Sequence, residues 1–267
     1  NRHMGIGADG LILVQNSTAG NDFIIIDDRL SSFPKDNASI INQLCNRHMG
    51  IGADGLILVQ NSTEGDFKMI YFNSDGNQGS LCGNGGRCVF AFARSLNIVK
   101  NKGVFEAADG LHFASMKKDD LVSLDMNDVQ NITKNGDSLF INTGSPHHLE
   151  LVNDISKINV NDQGAAIRYG EPYIDLGTNV NYIQMLNKDN FKIRTYERGV
   201  EKETLSCGTG AVAAGVGVHF MGLTKSTSIN IHALGGMLKT VFTPSLSRYC
   251  EIKLIGPAEF IFSGNFE

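Results

Sequence analysis

The sequence predicts an α+β fold made of two similar halves, each a curled sheet around one central helix. Three observations carry this. Strand-forming segments dominate, two of the three helical patterns lack a polar face for most of their length, and each of those two follows a Cys-Gly-x-Gly turn. A helix without a polar face must be buried nearly all round, and a curled sheet can do that. With 267 residues, 42% of them hydrophobic, the chain can build real cores in one large or two ordinary domains.

In chain order the predicted strands are 23–28 (FIIIDD), 55–60, 67–72, 121–126, 179–186, 191–197, 229–234, 250–256 and 258–264. They are rich in β-branched and aromatic residues and are bounded by Gly, Asn, Asp or Pro. Helical spacing appears at 39–48, 86–99 and 210–223. The charged stretch MKKDDLVSLDMNDVQ places a boundary near 115–130. The expected domains are 1–120, carrying Cys82 and completed by a C-terminal strand at about 258–267, and 121–257, carrying Cys207.

Residues 1–18, NRHMGIGADGLILVQNST, recur letter for letter as 46–63. Solenoid repeats diverge and occur at least three times, so one perfect copy reads as an artefact and the second copy as native. The LILVQNST of the first copy can itself form a strand ahead of AGNDFIIIDDR.

A net charge of −5 and a pI near 5.8, with no Lys/Arg cluster, argue against nucleic acid as a partner. The longest apolar run, Ala211 to Leu223, contains His219 and falls short of a membrane span, and no signal-peptide pattern opens the chain. Five cysteines (45, 82, 88, 207 and 250) without a C-x-x-C pair fit reduced thiols in a cytoplasm better than disulfides or a metal site.

Cys82 in SLCGNGGRC and Cys207 in LSCGTGAVAAG carry the chemistry. A glycine turn feeding a helix leaves the first backbone N–H groups facing outward, where they hold anions and favour a thiolate. Such a position lowers a thiol pKa from about 8.5 into a range of roughly 3.5–7.5. Two such thiols suggest a pair of bases facing one substrate atom from opposite sides. An amino-acid α-hydrogen is a poor acid, and the sequence holds no convincing pyridoxal phosphate site. The developing charge must therefore sit on the substrate carboxylate, held by preorganised donors: the N–H groups of Gly83, Asn84, Gly208 and Thr209. A thiolate on one face takes the proton and a thiol on the other returns one.

Competing motifs fail. GIGADG (50–55) follows a helix-like segment and precedes a strand, the reverse of a dinucleotide-binding turn. GTGAVA (208–213) precedes a helix, yet no acidic residue occurs between Thr204 and Cys250 to bind a ribose.

The segments AGNDFIIIDDR, NRHMGIGADG, YFNSDGNQGSLCGNGGRC, TGSPHH, NVNYIQ, YERGVEKETLSCGTGA and GPAEFIFSG, in that order, resemble the diaminopimelate epimerases from about Gly20 onward. The resemblance implies a cofactor-independent epimerase with two pseudo-symmetric, mostly antiparallel α/β domains. It would be a cytoplasmic homodimer interconverting LL- and meso-diaminopimelate for lysine and peptidoglycan synthesis. It carries substrate-binding roles onto Asn21, Asn73, Asn179, Glu197 and Arg198, the last as a carboxylate clamp. His147, with Glu197, matches positions associated with tuning the cysteine pair. Ser145 stands where many members have asparagine, and Gly55 where some have glutamine. Serine can still donate a hydrogen bond; glycine offers only its backbone.

Cys45, Cys88 and Cys250 read as packing residues. Without the resemblance, Asn21, Asn73 and Asn179 would serve equally as turn residues, Glu197 and Arg198 as a surface ion pair, and His147 as a loop histidine. The alternative functions are a proline or hydroxyproline racemase, which would lack the ERG partner for a distal charge, and a non-catalytic amino-acid-binding protein. Two thiols paired across one carbon also predict sensitivity to oxidation through a disulfide.

Overall fold

The computed structural model describes residues 12–17, 20–79 and 83–264. In chain order the elements are β1 (Ile12–Ser17), β2 (Asn21–Asp27), α1 (Ala38–Cys45), β3 (Gly55–Gln60), β4 (Phe67–Asn73), α2 (Gly83–Ser95), β5 (Lys102–Ala107), β6 (Gly110–Met116) and β7 (Leu121–Asp125). There follow β8 (Ile132–Asn135), β9 (Ser138–Asn142), β10 (Pro146–Leu151), α3 (Val160–Arg168), β11 (Asn179–Asn187), β12 (Asn190–Glu197) and β13 (Lys202–Thr204). The chain ends with α4 (Gly208–Phe220), β14 (Ser228–Ala233), β15 (Gly236–Pro244), β16 (Tyr249–Pro257) and β17 (Glu259–Gly264). Strands dominate, as the sequence predicts, and the fold is a mixed, sheet-rich α+β one.

The chain divides into two compact units: one runs to Leu124 and takes in the residues from Pro257 onward, and the other is Asp125–Gly256. In the first unit the strands pair in the order β17, β1, β2, β3, β4, β5, β6, β7. Successive pairings are antiparallel, antiparallel, parallel, antiparallel, parallel, antiparallel and antiparallel. In the second the order is β8, β9, β10, β11, β12, β14, β15, β16, and the succession of pairings is the same. Each parallel pair needs a crossover, and helices α1, α2, α3 and α4 supply the four.

One helix of each pair lies on each face of its sheet. Ile24, Ile26, Leu56, Leu58, Ile70 and Phe72 pack with Ile41 and Leu44 of α1. Side chains alternate along a strand, so Phe23, Ile25, Ile57 and Met69, all buried, point to the opposite face, where α2 lies against β2, β3 and β4. In the second unit Val180, Tyr182 and Tyr196 pack with Val160 of α3, and α4 takes the other face against β10, β11 and β12.

Both central helices are buried along nearly all their length, α2 from Gly83 to Phe90 and α4 from Gly210 to Val218. They begin earlier than their apolar spacing suggests, immediately after the cysteines, because glycine hides the first turn from a propensity reading. They also stop earlier than predicted. Asn97 (φ 58°) ends α2 with Ile98 N–H bonding the Ala93 carbonyl, and Gly222 (φ 73°) ends α4 with Leu223 N–H bonding Val218. The sequence reading missed β5, β6, β8, β9, β10, β13, β15 and α3. Among the described residues no helix is long and apolar enough to cross a membrane.

Candidate active site

In the second unit, Cys207 caps α4 with extended backbone (φ −123°, ψ 116°), and its carbonyl accepts the first intrahelical bond, from Ala211. The next N–H groups, of Gly208 and Thr209, have no acceptor within an α-helix. The Cys207 Sγ lies 3.3 Å from Thr209 Oγ1. The helix packs so closely on the sheet that a Cβ at Gly210 would stand 2.7 Å from Asn181 Oδ1.

Asn181, fully buried on β11, was not singled out from the sequence, yet it organises this end of the sheet. Its Nδ2 donates to the His148 carbonyl (3.0 Å) and to His147 Nδ1 (3.1 Å), and its Oδ1 accepts from Thr195 Oγ1 (3.0 Å). These partners orient the amide, so His147 Nδ1 is an acceptor and its proton sits on Nε2. Burial, with Arg198 adding repulsion, pushes the His147 pKa down from 6.5 to about 3, against the opposing hydrogen bond from Asn181. The imidazole is neutral, and its buried Nε2–H has no hydrogen-bond partner among the described residues.

Asn179 is also buried, and its Nδ2 donates to Ser145 Oγ (2.9 Å) and the Pro146 carbonyl (2.8 Å). Its Oδ1 accepts from Arg198 N–H at 2.9 Å, so one side chain ties the SPHH strand to the ERG turn. The exposed Arg198 guanidinium donates to the Leu176 carbonyl, and Glu197 Oε2 accepts from Thr204 Oγ1 at 2.8 Å. Thr143 Oγ1 donates to the Thr209 carbonyl (3.2 Å), bracing the loop before Ser145 against the start of α4. The second unit therefore gathers His147, Asn179, Glu197, Arg198, Ser145 and Cys207 at linked positions.

In the first unit, Cys82 lies outside the described residues; α2 begins at the next residue, Gly83. Asn84 is buried in the first turn, and its Nδ2 donates to Asn21 Oδ1 at 2.6 Å. Asn21 Nδ2 donates to Asp54 Oδ2 (2.9 Å), and Arg47 bonds Asp22 bidentately and Asp54 through Nη2. Burial works to raise the Asp22 pKa, but the Arg47 guanidinium and nearby N–H groups take it below the ordinary carboxylate value. On the other side of Asn84, the fully buried Arg87 donates to its Oδ1 (2.8 Å) and to the Gly83 carbonyl (3.2 Å). Arg47, Asp54 and Arg87 escaped the sequence reading because nothing in their spacing marks a shared network. Asn73 ends β4 in an exposed turn, its backbone N–H bonding the Asn77 carbonyl at 2.9 Å.

The ladders relate the two sets of residues. Phe23 pairs with Gly55, and Gly55 with Asn73; His147 pairs with Asn179, one rung from the Val180–Tyr196 pair that places Glu197 beside Asn179. Asn21 and Ser145 each stand two residues before the first member of those rungs. The candidate residues thus fall on equivalent rungs of two equivalent sheets, on the face that carries the central helix. Of the remaining cysteines, Cys45 and Cys88 are buried, with burial pushing the Cys45 thiol up to about 12, and Cys250 is half-buried at the start of β16. No cluster of His, Cys, Asp or Glu suited to a metal ion occurs among the described residues.

The family model described as diaminopimelate epimerase matches residues 14–132 and 139–261. The chain belongs to the diaminopimelate epimerase family. It is 51% identical over 243 residues to the diaminopimelate epimerase of Flavobacterium psychrophilum, covering 91% of this chain and 95% of that one. It is 40% identical over 265 residues to that of Aquifex aeolicus, covering 92% and 94%. Among solved structures, a PhzF-family phenazine biosynthesis protein of Bacillus anthracis has a TM-score of 0.75 at 12% identity, over 96% of this chain and 99% of that one. A hydroxyproline epimerase of Agrobacterium vitis with bound trans-4-hydroxy-L-proline has a TM-score of 0.61 at 15% identity, over 96% and 91%. At such identities these neighbours establish the two-domain fold alone, whereas the family match sets the racemase and binding-protein alternatives aside.

Proposed function

We propose that this epimerase interconverts LL- and meso-diaminopimelate without a cofactor, Cys82 and Cys207 acting as the two bases. The observation that carries the reading is Cys207 at the N-cap of a helix buried along nearly all its length, in a unit whose ladder repeats that of the unit bearing Cys82. One thiolate removes the α-proton and the other thiol delivers one to the opposite face, leaving the enzyme with its thiol and thiolate exchanged. Charge developing on the α-carboxylate is met by the N–H groups of Gly83, Asn84, Gly208 and Thr209, fixed dipoles that need no reorganisation. Asn21, Asn73, Ser145, Asn179, Glu197 and Arg198 hold the rest of the substrate, and Arg198 takes the distal carboxylate. Neutral His147, kept in one tautomer by Asn181, adds no charge beside the thiolate; with Glu197 it sets the balance of the cysteine pair.

A homodimer is part of the reading, supported by Phe260, Ile261 and Phe262, all exposed on β17. A reducing cytoplasm is its setting, since the chemistry needs both sulfurs as thiol or thiolate.

Incubation with LL-diaminopimelate in D2O under reducing conditions, following α-deuterium and meso isomer, tests the proposal. Cys82→Ala and Cys207→Ala should each lower meso formation by about 10²–10⁴-fold while a thermal melt stays near the parent's. Retention of meso formation in either variant would falsify the two-base reading.

A further inference from the structure

We propose that Arg168 and Glu201 are positioning residues for recognition of the distal carboxylate, together fixing the turn that carries Arg198 against the segment to which Arg198 is bonded. The inference rests on the epimerase reading above, in which Arg198 clamps that carboxylate. The turn folds back on itself, the Glu197 carbonyl accepting from both Val200 N–H (3.2 Å) and Glu201 N–H (2.8 Å). Gly199 (φ 91°) and Glu201 (φ 57°) take left-handed backbone there, a conformation uncommon for glutamate. The Glu201 side chain secures it, Oε1 accepting from Gly199 N–H at 3.0 Å. The same oxygen lies 3.4 Å from Nη2 of Arg168, the last residue of α3. Burial works to raise the Glu201 pKa, but the Gly199 N–H, Tyr169, Arg168 and Tyr196 take it below the ordinary carboxylate value, so the pair is ionised.

Arg168 also meets the other support of the clamp. Two bonds of 2.9 Å tie Arg198 to the segment before β11, its N–H to Asn179 Oδ1 and its guanidinium to the Leu176 carbonyl. Gly177 lies between those acceptors in left-handed backbone (φ 68°), and the Arg168 guanidinium stands where a side chain at Gly177 would go. The same guanidinium lies over the Tyr169 ring, 4.8 Å from its centroid. One planar cation therefore touches the segment that presents both acceptors and, through Glu201, the turn that presents both donors. The Arg168 side chain is only 15% exposed, so solvent screens the pair less than it would a surface one. A long arginine gives up rotamer freedom when it clamps a ligand, and fixing its turn and its acceptors beforehand removes part of that cost.

Two substitutions with opposite charge changes separate positioning from simple electrostatics. By charge alone, Arg168→Gln removes a cation and weakens binding of a dicarboxylate, whereas Glu201→Gln removes an anion and strengthens it. If the pair positions Arg198, both raise KM for LL-diaminopimelate, Arg168→Gln by about 10-fold and Glu201→Gln by about threefold, with kcat within about threefold of the parent's. That split is the pattern of a distal contact held alike in ground and transition states. A KM unchanged or lowered in either variant overturns the proposal. Glu201→Gln is isosteric and keeps the acceptor for Gly199, so it decides the matter by itself if Arg168→Gln does not fold. Hydrogen exchange of the peptide spanning 197–204, read by mass spectrometry, should quicken about 10-fold in Arg168→Gln. This readout is independent of turnover. An inactive parent therefore counts against the epimerase reading, while exchange as slow as the parent's means that Arg168 does not hold the turn.

Discussion

Ile25, Ile57 and Tyr71 share one rung of the first sheet on its α2 face, and Leu149, Asn181 and Thr195 share the equivalent rung of the second on its α4 face. The neighbouring rung pairs Phe23 with Gly55 in one unit and His147 with Asn179 in the other. The backbone pattern is the same, but the first unit fills the space with apolar and aromatic packing and the second with a hydrogen-bonded network centred on Asn181. Pairing constrains where strands lie, not what they carry. A buried hydrogen-bonded network fixes side-chain orientation, whereas packing fixes volume. The unit that holds a neutral histidine in one tautomer is the one that uses the network.

Exchanging residues between equivalent positions is the severest test. Ile57→Asn puts an amide among apolar neighbours and should cost about 3–5 kcal/mol, measured by urea unfolding. Asn181→Leu leaves Thr195, His147 and the His148 carbonyl short of a partner and should cost about 2–4 kcal/mol. If both changes were tolerated, the contrast between the two faces would carry no energetic weight.

Acid titration comes next in size. His147 binds a proton near pH 3 when folded and near 6.5 when unfolded, so the unfolded chain takes up more protons in between. Stability should therefore fall as pH drops from 6.5 towards 3, with this residue's share at most about 1.4 kcal/mol per pH unit. His147→Phe imports the residue found at the equivalent place, Phe23, and should flatten the slope by that share. His219, whose pKa burial also lowers, is present in both proteins and cancels in the difference. Identical slopes would mean that the His147 imidazole is not held neutral.

The smallest effect is expected at Arg47. It is half exposed, and Arg47→Ala should lower stability by only about 1 kcal/mol, less at high salt. Its larger consequence should be a raised KM, because the Arg47–Asp54 bond helps orient Asn21. A KM unmoved by this change would separate the Asp54 contact from substrate binding.

Much of this site is legible in the residues themselves. Cys207, Gly208, Asn84 and the flanking glycines announce a helix start, since few other arrangements need Gly-x-Gly ahead of an apolar run. Asn181, Thr195 and Arg87 are silent in sequence. Their roles depend on which strand lies beside which and on the face each presents, and long-range pairing sets both. Strands β5, β6 and β10 went unread because their alternation is interrupted by charged, Gly or Pro positions that only their neighbours in the sheet explain.

The duplicated segment separates local from tertiary control. The same letters ILVQNS stand at 12–17 and 57–62. In the first copy the strand runs through to Ser17, held by pairing with β2 up to Asn21 and by β17 on its other side. In the second it ends at Gln60, and Asn61 and Ser62 turn away to bond the Arg29 carbonyl and Glu106. The sequence by itself determined that these letters form a strand and that each Cys-Gly-x-Gly turn starts a buried helix, because β-branched runs and backbone caps are local. Where the strand ends, what it pairs with and which side chains meet at the helix start were decided by the tertiary structure, because identical local propensities yield to the hydrogen-bond partners that neighbouring strands offer.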